Sequence, residues 1–225
     1  MIDLNVWQDR FEQYKKMDYA NNFYGFWRWK VSTETSQTHI LDKMHLPITH
    51  EKLVPIMKAW LTYRPFDPDA CLNHLRCSLE EIAPFYNRLR NISLLDLEKT
   101  SIDDIKFIWH KLGRAKEKNG MESASSKYFV IAVAKPLMFL WGQTLAFDDL
   151  VRGCLPALGF KGASNNRWSF YQWYNTMRRF QERTKNDTEF INLCNEVTRC
   201  EFGTEAQVPY GQFLDLYYWV GAKYQ

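Results

Sequence analysis

The chain has 225 residues, 46% of them hydrophobic and 24% charged, with 29 Lys and Arg against 26 Asp and Glu for a net charge of +3. That length is ample for a buried core and that composition excludes a disordered chain. The charge balance is too mild to mark a nucleic-acid binder by itself. Aromatic residues reach 16%, nine of them Trp, which serves either a bulky core or stacking platforms for bases. The longest apolar run is broken by Lys135 and Pro136, so no membrane span is expected. The first ten residues lack a basic start leading into an apolar stretch, and the five Cys are odd in number and loosely spaced. A reduced, cytoplasmic protein without a leader is therefore expected.

Residues 2–18 carry Ile2, Leu4, Val6, Trp7, Phe11 and Tyr14 at helical spacing. A dense aromatic cluster from Tyr19 to Trp29 suits a helix pressed into a core, and 31–39, rich in Ser and Thr, reads as a loop. The spacing predicts a helix over 49–63, with Pro55 near its regular start, and then a Pro-fixed turn over 64–69. Ser78 and Glu81 form a capping-box pattern for a helix to about 90, and Ser101 with Asp104 opens another to about 118. Asn119-Gly120 is a stop signal. Ser123 can cap a helix to Lys135, ended by Pro136, and this most apolar segment is expected to be the central buried helix. A turn over 139–147 leads to a short helix from Asp148, and helices follow over 168–183, 187–200 and 210–223. No segment sustains a period of two. The chain reads as all-α, one compact domain of about ten helices over 1–225, and any sub-domain seam falls near 120.

Chemistry has few places to sit. No two His share i, i+4 spacing and there is no Cys-x-x-Cys, so no metal is expected; Cys71, His74 and Cys77 recur at three-residue intervals without an evident fourth ligand. The phosphate-cradling Gly-rich loops and the Gly-x-Ser-x-Gly elbow are missing, so no cofactor is expected either. Lys127 precedes an almost wholly apolar stretch, where an amine can lose affinity for its proton and become a nucleophile. Asp148 heads the next short helix, where a carboxylate is favoured. The plain readings are a solvated Lys127 and a capping Asp148. The two meet only if the 136–146 segment bends back, because an antiparallel hairpin separates the two helix starts.

A Lys opening an apolar helix, a Pro-containing turn, and then Phe147-Asp148-Asp149-Leu150-Val151-Arg152 resembles the core of the helix–hairpin–helix DNA glycosylases. The resemblance covers about thirty residues. It implies Lys127 as nucleophile, Asp148 as its assisting carboxylate, and DNA as partner. The family's Gly-apolar-Gly turn, which holds a DNA phosphate, is replaced by Gly120-Met-Glu-Ser-Ala-Ser-Ser-Lys. The chain also resembles uncharacterised helical bacterial proteins that share Ser126-Lys127, Pro136-Leu-Met-Phe139 and a terminal Asp215-Leu-Tyr217-Tyr-Trp219, a likeness that implies no function.

Cations interleave with aromatics over 167–180. One reading is a nucleic-acid surface, with Arg167, Arg178 and Arg179 on phosphates, Arg152 and Lys161 extending a basic rim, and Trp141 and Trp168 walling a flipped base. The other is a core helix with solvated arginines. Two functions follow: a helical nucleic-acid-associated protein of glycosylase-like architecture, or a non-enzymatic module that binds a protein partner through its aromatic surface.

Overall fold

The computed structural model describes residues 3–60, 62, 68–113, 127–160 and 165–223. The fold is all-α. Its helices are α1 (Leu4–Lys15), α2 (Asp18–Thr33), α3 (Leu46–Ala59), α4 (Pro68–Leu89), α5 (Ile102–Gly113), α6 (Val130–Trp141), α7 (Asp149–Cys154), α8 (Phe170–Thr184), α9 (Thr188–Phe202) and α10 (Tyr210–Lys223). Short 3-10 turns at Leu94–Lys99 and Pro156–Leu158 link them, and the described strands are β1 (Tyr128–Phe129) and β2 (Arg167–Trp168), paired antiparallel. The caps follow the sequence closely. Asp148, Ser169 and Asp187 each accept a hydrogen bond from the backbone N–H three residues on, the interaction that makes Asp and Ser good helix starts. Ser101 does the same for Asp104.

The central helix is α6. Its side chains from Val130 to Trp141 are buried apart from the partly covered Ile131, and it packs against α2, α3 and α5. It differs from expectation in its bounds: β1 precedes it, and it runs through Pro136 rather than stopping there. Pro136 removes one hydrogen bond, to the carbonyl of Ala132, and burial on both sides of it outweighs that loss. Helix α6 ends instead at Gly142, in the left-handed region at φ 76°. There a side chain would collide with Trp27 and Pro209. Helix α4 likewise continues through Ser78 and Pro84. Ser78 is not a cap; its hydroxyl donates to the carbonyl of Lys111 at 2.9 Å and ties α4 to α5.

The C-terminal helix α10 packs against α1 and α7 and lies over the 142–147 segment. Gly211 permits this approach, since a Cβ there would fall 2.3 Å from the backbone of Gln143 and Thr144. The N–H of Gln212 then donates to the carbonyl of Gly142 at 3.2 Å. One helical turn on, Asp215 reaches the same segment.

Candidate functional site

A cavity of about 200 Å³ opens where α1, α3, α6 and α10 meet the start of α7. Tyr14, Lys135, Asp148 and Asp215 supply its polar groups, and Trp60, Leu216 and Trp219 form apolar walls. It is smaller than the roughly 300–1,000 Å³ that encloses a drug-sized ligand, so it fits one flat ring rather than a nucleotide.

Each polar group is delivered by a separate device. Lys135 projects from the middle of α6, and its ammonium donates to the carbonyl of Trp60, at the end of α3, at 3.1 Å. Asp148 caps α7 through the N–H of Val151. Asp215 accepts from the N–H of Ala146 at 2.7 Å and from that of Phe147. The carbonyl of Phe147 in turn accepts from Arg152 at 3.0 Å. Phe147 is held at φ 53°, a left-handed conformation that costs a residue of this size on the order of 1–3 kcal/mol. Asp215 and Arg152 thus grip a strained peptide from both sides and aim Asp148 into the cavity.

The electrostatics of the three charged groups are mutually consistent. Burial pushes the Asp215 carboxyl up to about 8, helped by the negative charge of Asp148 and opposed by the Ala146 N–H and by Lys135. Burial also raises Asp148, against the pull of Lys135 and of the Val151 N–H. Burial lowers Lys135, against the attraction of Asp148 and Asp215. Lys135 forms no ion pair within 4.0 Å with either carboxylate among the described residues. Ammonium and carboxylates face one another across the cavity instead of closing it.

Lys127 is exposed ahead of β1 and does not line the cavity that Asp148 enters; Lys135 is the cation that acts on Asp148. Trp141 and Trp168 are fully buried, with indole N–H groups donating to Ile92 at 2.8 Å and Asn165 at 2.6 Å. Their burial corrects the base-wall expectation: neither ring has a face left for a base. Arg152 is buried against Phe147 and Asp149, so it positions the loop and is no rim cation. Arg167 lies over Phe129 at 4.6 Å, and Arg178 pairs with Glu98 and Gln181. Arg179 is exposed over Phe160 and donates to the carbonyl of Gly159. Lys161 lies outside the described residues, and so do 123–126 of the expected central helix. Of Cys71, His74 and Cys77, the first is buried and the others exposed, and no metal-holding cluster of His, Cys, Asp or Glu gathers among the described residues. No described helix is long and apolar enough to cross a membrane.

Lys135 and Asp215 went unnoticed in the sequence as site residues, yet both carry a signal. Each is a lone charge within a buried apolar stretch of helix, where a charge costs most. Trp60, half-buried at the cavity, lay in an ordinary amphipathic pattern with nothing to single it out. No family model matches the chain, and no curated protein or solved structure is significantly similar to it.

Proposed function

We propose that the chain acts on nucleic acid with glycosylase-like chemistry, and that the reacting groups are Lys135, Asp148 and Asp215. The observation that supports this is the cavity itself: the buried Lys135 and Asp215 and the half-buried Asp148, none in an ion pair within 4.0 Å of another, face one ring-sized space with tryptophans beside it. A ring swung out of its stack enters between Trp60 and Trp219. Lys135, once its ammonium has lost a proton to water, attacks the sugar carbon that carries the ring. A nitrogen–carbon bond forms as the ring's own nitrogen–carbon bond breaks, and the departing ring nitrogen takes the proton of Asp215. The attacking nitrogen gives its proton to Asp148. Two carboxylates in unlike surroundings are suited to such divided acid and base roles.

The rival reading, a protein-interaction module, calls for a contiguous exposed apolar patch. The large exposed apolar side chains among the described residues are Met44 with Ile48 before and within α3, and Ile102, Leu150 and Tyr171 on three other helices. That scatter favours the enzyme.

Borohydride trapping on DNA that carries an abasic aldehyde tests the assignment. Wild type and Lys127→Ala are expected to cross-link alike, and Lys135→Met to lose the cross-link while keeping its circular dichroism spectrum. Trapping that depends on Lys127 and survives in Lys135→Met reverses the assignment. No trapping together with no salt-dependent DNA binding ends the glycosylase reading.

A further inference from the structure

Of Tyr14, Lys135, Asp148 and Asp215, which line the cavity, Tyr14 has no part in the chemistry above. Helix α1 buries it, and its ring meets that of Tyr24 edge-on at 6.3 Å. Its oxygen accepts a hydrogen bond from the Gln212 side-chain amide at 3.1 Å. Burial and the neighbouring Asp215 push its hydroxyl well above the ordinary tyrosine range, so it keeps its proton at any working pH. That proton has no acceptor among the described residues, and Tyr14 lines the cavity. A buried donor without a partner is costly unless something else accepts from it. Gln212 fixes the direction of this one: with one lone pair occupied, the O–H turns away from the amide. The other oxygen of the pair, Gln212 Oε1, is also buried without a partner, so the two side chains do not satisfy each other fully.

We infer that Tyr14 is a specificity-determining residue, and that the ring taken by the cavity carries a carbonyl oxygen where the Tyr14 hydroxyl donates. This rests on the ring-binding reading of the cavity. A ring with an oxo group there gains a hydrogen bond in a site shielded from water. A ring with only C–H there leaves both the Tyr14 proton and the cavity unsatisfied, which is how buried polar groups reject an analogue that lacks the matching atom.

Hypoxanthine and purine, which differ in the oxo group and in the ring N–H beside it, are the probes, titrated as free bases into the full chain by calorimetry. Wild type is expected to prefer hypoxanthine by about ten-fold, the worth of one good hydrogen bond. Tyr14→Phe, which keeps the ring contact with Tyr24, should bind both alike to within about two-fold on the same scale. Gln212→Ala, which frees the hydroxyl to rotate, should fall between them. A preference that survives in Tyr14→Phe, or none in wild type, overturns the role of Tyr14 and leaves the cavity as a ring site. Binding of neither base by wild type overturns both that role and the ring-site reading.

Discussion

Lys30 and Lys135 are both buried, each lowered by burial and each facing acid, yet they are held in opposite ways. Lys30 sits 2.7 Å from Glu34 and over the ring of Trp27. Glu34 in turn accepts from the Tyr86 hydroxyl at 2.8 Å and from the N–H of Ile40. Arg90 closes the same region by donating to the carbonyls of Thr35 and Thr38. Charge there is consumed by pairing, and the network pins the end of α2 and the loop after it to α4. Around Lys135 the charges stand apart with a cavity between them. A fold that needed only to join α6, α7 and α10 would have no use for that separation. Unpaired charge in a cleft is the arrangement that shifts proton affinities for catalysis.

The contrast makes its largest prediction in stability. Glu34→Ala strands the Lys30 ammonium in the interior and removes the Tyr86 and Ile40 partners, so it should cost about 3–5 kcal/mol in urea unfolding. Lys135→Met removes a cation that makes no ion pair among the described residues and meets Trp60, at its carbonyl and, at 5.4 Å, over its ring, and the carboxylates left behind can take up protons. It should stay within about 1 kcal/mol of wild type, the net worth of its one hydrogen bond to Trp60. Equal losses for the two variants would mean that the Lys135 cluster is structural as well.

A smaller effect tests the scaffold that separates the charges. At Gly211 an alanine methyl would meet main chain that has nowhere to go, so α10 or the 142–147 segment must shift. Gly211→Ala should cost about 1–3 kcal/mol, as overpacking does, and should abolish trapping by loosening the grip of Asp215 on Ala146. Gly153, inside α7, has open space around it. Gly153→Ala should be neutral or stabilise by about 0.5–1 kcal/mol. If both alanines behaved alike in urea, close approach at Gly211 would not be what sets the cavity.

Much of the fold was legible because local rules decided it. Asp148, Ser169 and Asp187 cap where their residue types say, and the 210–223 helix matches α10. The misses share a cause. Pro136 was read as a stop and Ser78 as a start, but each sits inside a helix stabilised by tertiary burial, which no local rule weighs. The site was half legible. Asp148 was singled out, but Lys127 was paired with it through proximity in a motif, while the cation that faces it, Lys135, was taken only as the end of an apolar run. Asp215 lies 67 residues beyond Asp148, and only the packing of α10 over the 142–147 segment joins them. Trp141 and Trp168 were assigned to a base for their size, though size is equally what fills a core.

The prediction most specific to the comparison is the pH dependence of Asp215. Its folded carboxyl holds a proton up to about 8 against an ordinary 3.8. Between those values the folded chain binds the extra proton, so this group's contribution to stability falls as pH rises from about 3.8 to about 8 and stays low above. Asp148, also raised, acts in the same sense from its own ordinary value upward. Lys135, lowered, acts oppositely: above its folded value the unfolded chain binds more protons, and stability from it rises with pH. Asp215→Asn removes one titration and keeps an oxygen to accept from Ala146. The variant should therefore gain on wild type across that window and hold the gain above it, by about 2–4 °C in Tm for each kcal/mol recovered, while losing activity. Glu34→Gln, at the paired network, should show loss without any such gain. A melting difference between Asp215→Asn and wild type that is flat from pH 4 to 9 would mean that Asp215 is charged in the fold and satisfied there, and the two buried lysines would then differ only in detail.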